Sequence, residues 1–181
     1  MPNQITIDGI NFKKHIDETD IVEKINQISH KINSDYKDKE PIFIVILNGS
    51  FMFASDLVKR FSGHCQLAFV KLSSYDNLES SGKVKEVFGL DIDINGKDVI
   101  IVEDIVDTGL TLEYFISKLH EHKPKSVRIA TLLLKPDSFN NHFPVDYVGF
   151  SVPNDFIVGY GLDLNGYGRN FPHIYKKEII I

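Results

Sequence analysis

Two segments of this chain are unbroken runs of aliphatic and β-branched residues, "PIFIVIL" at 41–47 and "VIIV" at 99–102. A strand with one wet face alternates apolar and polar residues. These do not, so each predicts a strand buried on both faces. Helical patterns surround them. Ile21, Ile25, Ile28 and Ile32 recur at spacings of four, three and four in "TDIVEKINQISHKINSDY". That spacing predicts one apolar helix face, with Thr19 or Asp20 as N-cap. "FMFASDLVKRF" reads as a helix after the break "NGS", and "LTLEYFISKLHEH" as another after the second run. "CQLAFVKL" and "SVRIATLLLK" read as further strands. Alternating strands and helices imply an α/β fold, a mostly parallel twisted sheet flanked by helices. Such sheets bind ligands beyond the carboxyl ends of their strands.

The rest of the chain is less regular. Residues 73–83, "SSYDNLESSGK", are polar and predict a long, mobile loop of the kind that often carries function. "VKEVFGLDIDINGKD" predicts strand, turn, strand, with Asn95-Gly96 as the turn. The C-terminal third is rich in Gly, Tyr and Asn and predicts short strands and ordered loops.

Bulk properties narrow the function classes. The 181 residues suit one domain, and a hydrophobic fraction of 43% supplies a sizeable core. The net charge is −5 and no basic stripe is visible, which argues against non-specific nucleic-acid binding. Cys65, the one cysteine, has no internal partner and opens the apolar run "CQLAFV", so it reads as a packed thiol in a reducing compartment. No apolar run reaches the roughly 20 residues of a membrane span, and the first residues lack a signal-peptide layout. A cytoplasmic location without nucleic-acid or membrane partners is the expectation.

The chemistry concentrates in "VIIVEDIVDTGLTL", residues 99–112. "DTGLT" lies between a strand and a helix. The free N–H groups there, a close backbone approach at Gly109 and the hydroxyls of Thr108 and Thr111 make a phosphate cradle. The plainer reading is a helix capped by Asp107 or Thr108. Glu103 and Asp104 weigh against it, because adjacent acids at the end of a buried strand are costly unless a cation or sugar hydroxyls compensate.

This stretch resembles the phosphoribosyl-diphosphate signature of the type I phosphoribosyltransferases, and in detail the hypoxanthine-guanine phosphoribosyltransferases. The resemblance runs from about Pro41 to Arg169. It implies a single domain with its core at about 20–150 and a small hood of short strands and loops formed by the N-terminal segment and about 151–181. It implies that Glu103 and Asp104 face the ribose hydroxyls and metal-bound water. Asp107 becomes the general base beside the imidazole nitrogens of the purine, and Asp107, Thr108, Gly109, Leu110 and Thr111 hold the 5′-phosphate. Many relatives carry Lys at the position of Leu110, so this cradle relies on backbone and hydroxyls.

The same resemblance makes "LNGS" a diphosphate loop with Asn48 and Gly49, where some relatives have Lys in place of Asn48. Ser74 and Tyr75 become the Ser-Tyr pair of a mobile lid. Lys135 donates to the exocyclic oxygen of a 6-oxopurine, Phe156 stacks on the base, and the backbone of Ile157 reads its polar edge. Asp163 joins Glu103 and Asp104 as a Mg2+ ligand, and Arg169 contacts the diphosphate. The implied activity is transfer of a phosphoribosyl group from phosphoribosyl diphosphate to hypoxanthine, with guanine as a second base, by a homodimer or homotetramer. Taken singly, Asn48 reads as a turn residue, Lys135 as a solvated charge, Phe156 as core and Asp163 as a turn residue. A non-catalytic regulator of the same fold would carry a DNA-binding domain, and the roughly forty residues before "PIFIVIL" contain no helix-turn-helix pattern. A phospho-acceptor signalling domain would need acids where this chain has Asn48-Gly49.

Overall fold

The computed structural model describes residues 1–74, 84–88, 90–139 and 143–178, without the side chains of 73–74 and 84–88. Strands β1 (Gln4–Ile7) and β2 (Ile10–Ile16) form a hairpin, followed by helix α1 (Glu18–Asp35). Strand β3 (Ile42–Leu47), helix α2 (Phe51–Val58), strand β4 (Gln66–Ser74) and strand β5 (Val84–Phe88) come next. Strand β6 (Asp98–Val106), helix α3 (Leu110–Glu121) and strands β7 (Ser126–Leu134) and β8 (Tyr147–Ser151) complete the main layer. Strands β9 (Ile157–Val158) and β10 (Ile174–Lys177) close the chain.

The main sheet has the order β5-β4-β3-β6-β7-β8. All neighbours are parallel except β4 and β5, which are antiparallel. The apolar runs do what their composition requires. Along β3, Phe43 and Val45 join the core beneath α1 and α2, while Ile42, Ile44 and Ile46 join the core on the α3 side. All five are at most 7% exposed, so this strand has no wet face. At about 1.5–3 kcal/mol for each large aliphatic side chain buried, such strands anchor both layers.

Helix α1 buries Ile21, Ile25, Ile28 and Ile32, as their spacing predicts. Its start differs from the sequence expectation: the N-cap is Asp17, not Thr19 or Asp20. Asp17 makes no side-chain cap, and the Glu18 amide donates instead to His173 Nδ1 at 2.9 Å. A partner so distant in the chain cannot be read from the local pattern. The expected hairpin around Asn95-Gly96 is also corrected. Residues 90–94 are not a strand, and β5 pairs with β4. The Asn95-Gly96 turn leads into β6, and its Gly96 amide bonds the Lys123 carbonyl at 3.0 Å. Cys65 packs half-buried against the core, and burial pushes its thiol pKa up.

The second sheet is antiparallel, in the order β1-β2-β10-β9. It closes over Ile5, Ile7, Phe12, Val158 and Tyr175. Among the described residues no helix is long and apolar enough to cross a membrane.

Candidate active site

The carboxyl ends of β3 and β6 open into one cleft of about 330 Å³. Asn48, Gly49, Glu103, Asp104, Asp107, Thr108, Gly109, Thr111, Asp163 and Arg169 all line it. These residues come from four separate stretches of sequence, and the parallel register of β3 on β6 puts their loops side by side.

Glu103 and Asp104 lie inside β6, which continues to Val106. Glu103 Oε2 is shut off from solvent and, among the described residues, accepts no hydrogen bond. Burial holds the Glu103 carboxyl well above the usual range, and the neighbouring Asp104 charge adds to the effect. Burial also raises Asp104, against the opposing pull of its bonds to Glu103 and the Ile105 amide and of the Arg169 charge. The Ile105 amide donates to Asp104 Oδ1 at 2.8 Å. A buried carboxylate oxygen without a donor is a costly group that a ligand would satisfy.

Beyond these acids the chain turns into α3. The N-cap is Gly109 in the left-handed region at φ 82°, not Asp107 or Thr108. A Cβ there would sit 2.7 Å from Phe139, so the packing and the dihedral both demand glycine. Thr108 Oγ1 accepts from the Leu110 amide at 3.4 Å. Thr111 and Leu112, in the first turn of α3, line the cleft, and the free amides of such a turn are of the kind that can hold an anion. Leu110 does not line the cleft and is 59% exposed, so its side chain adds nothing to this wall.

On the opposite wall, β3 ends in a cis Leu47–Asn48 peptide bond, and the Ser50 hydroxyl donates to the Ile46 carbonyl. Gly49 presses against the acid pair: a Cβ on it would lie 1.5 Å from Asp104 Oδ2. Gly161 presses on Gly49 in turn, with its imagined Cβ 1.9 Å from the Gly49 carbonyl oxygen. Arg169 closes this wall. Its Nη1 donates to the Gly161 carbonyl at 2.7 Å and its Nη2 stands 2.7 Å from Asp163 Oδ1. Asp163 Oδ2 accepts from the Gly166 amide at 2.6 Å. Both Asp163 oxygens thus have protein donors.

Lys135, Phe156 and Ile157 do not line this cleft. Lys135 follows β7 and reaches back to it, with Nζ 2.7 Å from Asp107 Oδ2. Phe156 is 47% exposed, and its ring centroid lies 6.2 Å from that of Phe12. Ile157 sits on the edge strand β9 opposite Lys176. The Lys177 amide bonds the Phe156 carbonyl at 2.9 Å, so the pair one step along is a non-hydrogen-bonded one. The amide and carbonyl of Ile157 therefore point off the sheet edge. Ser74 ends β4, but its side chain and Tyr75 lie outside the described residues.

Sequence reasoning missed Tyr160 and Asp56. The Tyr160 hydroxyl donates to Asp56 Oδ2, tying the segment before Asp163 to α2. The glycines flanking Tyr160 were the available signal, because paired glycines mark a backbone turned through positive φ.

Among the described residues, no group of His, Cys, Asp and Glu side chains forms a closed metal cage. A divalent ion fits this site in the manner typical of Mg2+, which takes one or two carboxylates and completes its shell with substrate oxygens and water. The unsatisfied Glu103 oxygen is the observation in favour.

Comparison with known proteins gives this geometry a family. The phosphoribosyl transferase domain family matches residues 15–165. The chain is 41% identical to the hypoxanthine-guanine phosphoribosyltransferase of Aquifex aeolicus, over 95% of this chain and 98% of that one. It is also 41% identical to the bifunctional protein TilS/HprT of Listeria monocytogenes, of whose length it spans only 26%. Among solved structures, a Bacillus anthracis hypoxanthine-guanine phosphoribosyltransferase superimposes with a TM-score of 0.86 at 38% identity, covering 92% of this chain and 97% of that one. A Staphylococcus aureus hypoxanthine phosphoribosyltransferase gives 0.87 at 38% identity, covering 92% and 91%. An acid pair on a buried strand, a left-handed glycine opening the next helix, and these relatives agree: the chain belongs to the phosphoribosyl transferase family, in its hypoxanthine-guanine phosphoribosyltransferase branch.

Proposed function

We propose that this chain transfers the 5-phosphoribosyl group of phosphoribosyl diphosphate to hypoxanthine, and to guanine, in purine salvage. The observation that carries the reading is the meeting in one cleft of a buried acid pair, the Gly109 anion site and Arg169. A ligand with a phosphate at one end, a diphosphate at the other and a polyhydroxylated ring between them matches that order of charges.

The 5′-phosphate takes the amides and hydroxyls of Thr108 to Thr111. The ribose hydroxyls supply donors to Glu103 and Asp104. The diphosphate meets the backbone at Asn48 and Gly49 and the Arg169 guanidinium. Magnesium, carried in with the diphosphate, would be held by Glu103 and Asp104 on one side and Asp163 on the other, and supplies neutralisation of the departing anion. Because Asp163 already accepts from Arg169 and Gly166, any metal contact uses its remaining lone pairs.

Lys135 and Asp107 supply base selection and proton transfer. A 6-oxopurine protonated at N7 presents an acceptor, O6, beside a donor, N7–H. Lys135 and Asp107 present a donor beside an acceptor, 2.7 Å apart. Adenine presents two donors and would leave Lys135 without a partner. In the reaction the N9 lone pair forms the bond to the anomeric carbon and the bond from that carbon to diphosphate oxygen breaks. The N7 proton passes to the Asp107 carboxylate, a general-base role. The carboxylates beneath the ribose tolerate the positive charge that develops on it. Phe156, exposed two residues after Asn154, whose side chain accepts from the Ser138 hydroxyl in the loop after Lys135, offers a stacking face for the base, and Ile157 offers an amide and a carbonyl. Ser74 and Tyr75 are proposed as lid residues that exclude water. A homodimer or homotetramer in the cytoplasm is the assembly proposed.

The test is direct. The protein is mixed with magnesium, phosphoribosyl diphosphate and each of hypoxanthine, guanine, xanthine and adenine, and nucleotide formation is followed. Product from hypoxanthine but not adenine is expected. No product from any base would end the proposal.

A further inference from the structure

We infer that Tyr160 and Asp56 are a positioning pair for the diphosphate half of the site, holding the 159–169 segment against the Asn48–Gly49 loop. The inference rests on the phosphoribosyl-transfer reading above. Neither residue lines the cleft, so the pair acts through the backbone it fixes.

Tyr160 is 3% exposed and sits at φ 47°, between Gly159 at φ 100° and Gly161 at φ 99°. Consecutive residues in this region make a sharp reversal, and a side chain larger than hydrogen resists it. Two bonds hold Tyr160 there. Its amide donates to the Phe171 carbonyl at 2.7 Å, and its hydroxyl donates to Asp56 Oδ2. Asp56 is itself braced by Lys59 Nζ, 2.7 Å from Oδ1. Burial would raise the Asp56 carboxyl, but the bonds from Lys59 and Tyr160 outweigh it and hold it low. Burial, with the Asp56 carboxylate, pushes the Tyr160 phenol far up. The pair is therefore a neutral donor on an ionised acceptor, a strong class of hydrogen bond.

What it fixes is the diphosphate wall. Asp56 belongs to α2, the helix that starts directly after Asn48, Gly49 and Ser50. Gly161, next to Tyr160, abuts the Gly49 carbonyl and exchanges two bonds with Arg169: its amide donates to the Arg169 carbonyl at 2.9 Å and its carbonyl accepts from the guanidinium at 2.7 Å. Loss of the hydroxyl frees Gly161 to shift, and both Gly49 and Arg169 shift with it. On the purine side, Lys135 and Asp107 have no part in this chain of contacts, and Phe156 and Ile157 are held separately, by β10 through the Lys177 amide and the pairing of Lys176 with Ile157.

The experiment compares the unmodified chain with Tyr160→Phe, Asp56→Asn, Asp56→Ala and the double variant Tyr160→Phe/Asp56→Ala. Calorimetry measures binding of inorganic diphosphate with magnesium, and steady-state assays give KM for each substrate. Tyr160→Phe is expected to weaken diphosphate binding and raise KM for phosphoribosyl diphosphate roughly tenfold, the weight of a charge-assisted hydrogen bond. KM for hypoxanthine is expected to stay within about twofold, the signature of a localised binding loss. Asp56→Asn keeps an acceptor and should recover part of the effect. The double variant should be no worse than Asp56→Ala, because the two residues act as one unit. Equal loss for both substrates, or a lower melting temperature with diphosphate affinity unchanged, overturns the pair. Failure of the unmodified chain to make nucleotide would count against the reaction, while the calorimetric comparison still decides the pair.

Discussion

Lys135 Nζ stands 2.7 Å from Asp107 Oδ2, so the proposed base-selecting cation and the proposed proton acceptor are each other's partners before any purine arrives. Lys135 is the more enclosed of the two, with its side chain 13% exposed against 48% for Asp107. In the proposed reaction a purine takes both partners at once, which would tie recognition of O6 to deprotonation at N7. Lys135→Gln keeps a donor but loses the charge and the reach. Its kcat/KM for hypoxanthine should fall about 10- to 150-fold, as expected for a hydrogen bond to a charged group worth about 1.5–3 kcal/mol. Adenine should gain relative to hypoxanthine. Nucleotide formation from the two bases in competition checks both statements.

Asp107→Asn removes the proposed proton acceptor and leaves a group of the same shape. The chemical step should slow by about 10²- to 10⁴-fold, the usual range for general-base catalysis. Binding of phosphoribosyl diphosphate, measured by calorimetry, should change far less. Single-turnover kinetics isolate the step, and an unaltered rate there would remove the base role.

Glu103→Gln should make the ligand-free protein more stable. The folded Glu103 carboxyl titrates well above its ordinary value because burial and then Asp104 disfavour its charge. With a raised folded pKa, stability is fully present below the unfolded value of about 4.3 and is lost as pH rises through the folded value. Glutamine carries no such loss. Its melting temperature should exceed that of the unmodified chain by roughly 2–4 °C at pH 7, for a gain of about 1 kcal/mol in a chain of this size. The gap should close near pH 4. Affinity for magnesium phosphoribosyl diphosphate should drop in the same variant, which separates a site adapted to its ligand from one adapted to the fold.

Gly161→Ala and Gly166→Ala form a matched pair. Both glycines have φ near +90°, but a Cβ on Gly161 meets the Gly49 carbonyl at 1.9 Å and one on Gly166 meets nothing within 4 Å. Gly166→Ala should cost only the left-handed backbone penalty of about 1–2 kcal/mol. Gly161→Ala should add an overpacking cost of roughly 1–3 kcal/mol and lose diphosphate affinity. Chemical denaturation of the two variants measures the difference, and equal midpoints would deny the close contact its role.

The two-faced strand at Ile42–Leu47 and the isoleucine face of α1 were legible in the sequence because burial imposes a period on composition. The acid pair was legible because adjacent buried carboxyls are expensive without a purpose, and the glycine of "DTG" because it stands between a strand and a helix. Partners across the fold were not. Lys135 and Asp107 are 28 residues apart, and Tyr160 and Asp56 are 104 apart. Each side chain has an ordinary local explanation, and only the arrangement of strand ends brings the two together. The N-cap of α1 failed for the same reason: its Glu18 amide is satisfied by His173 from the far end of the chain.

The small sheet has a consequence for how the enzyme comes into being. It pairs Ile16 of β2 with Ile174 of β10, so its central seam joins segments from opposite ends of the described chain. The main sheet pairs strands adjacent along the sequence at every step except β3 with β6, but this seam requires closure of a far longer loop before any of its bonds form. Phe156 and Ile157 flank or belong to β9, which attaches to β10. In a refolding time course, helical circular dichroism should therefore recover first and hypoxanthine turnover later, with a ligand-binding half that is the last thing the chain completes.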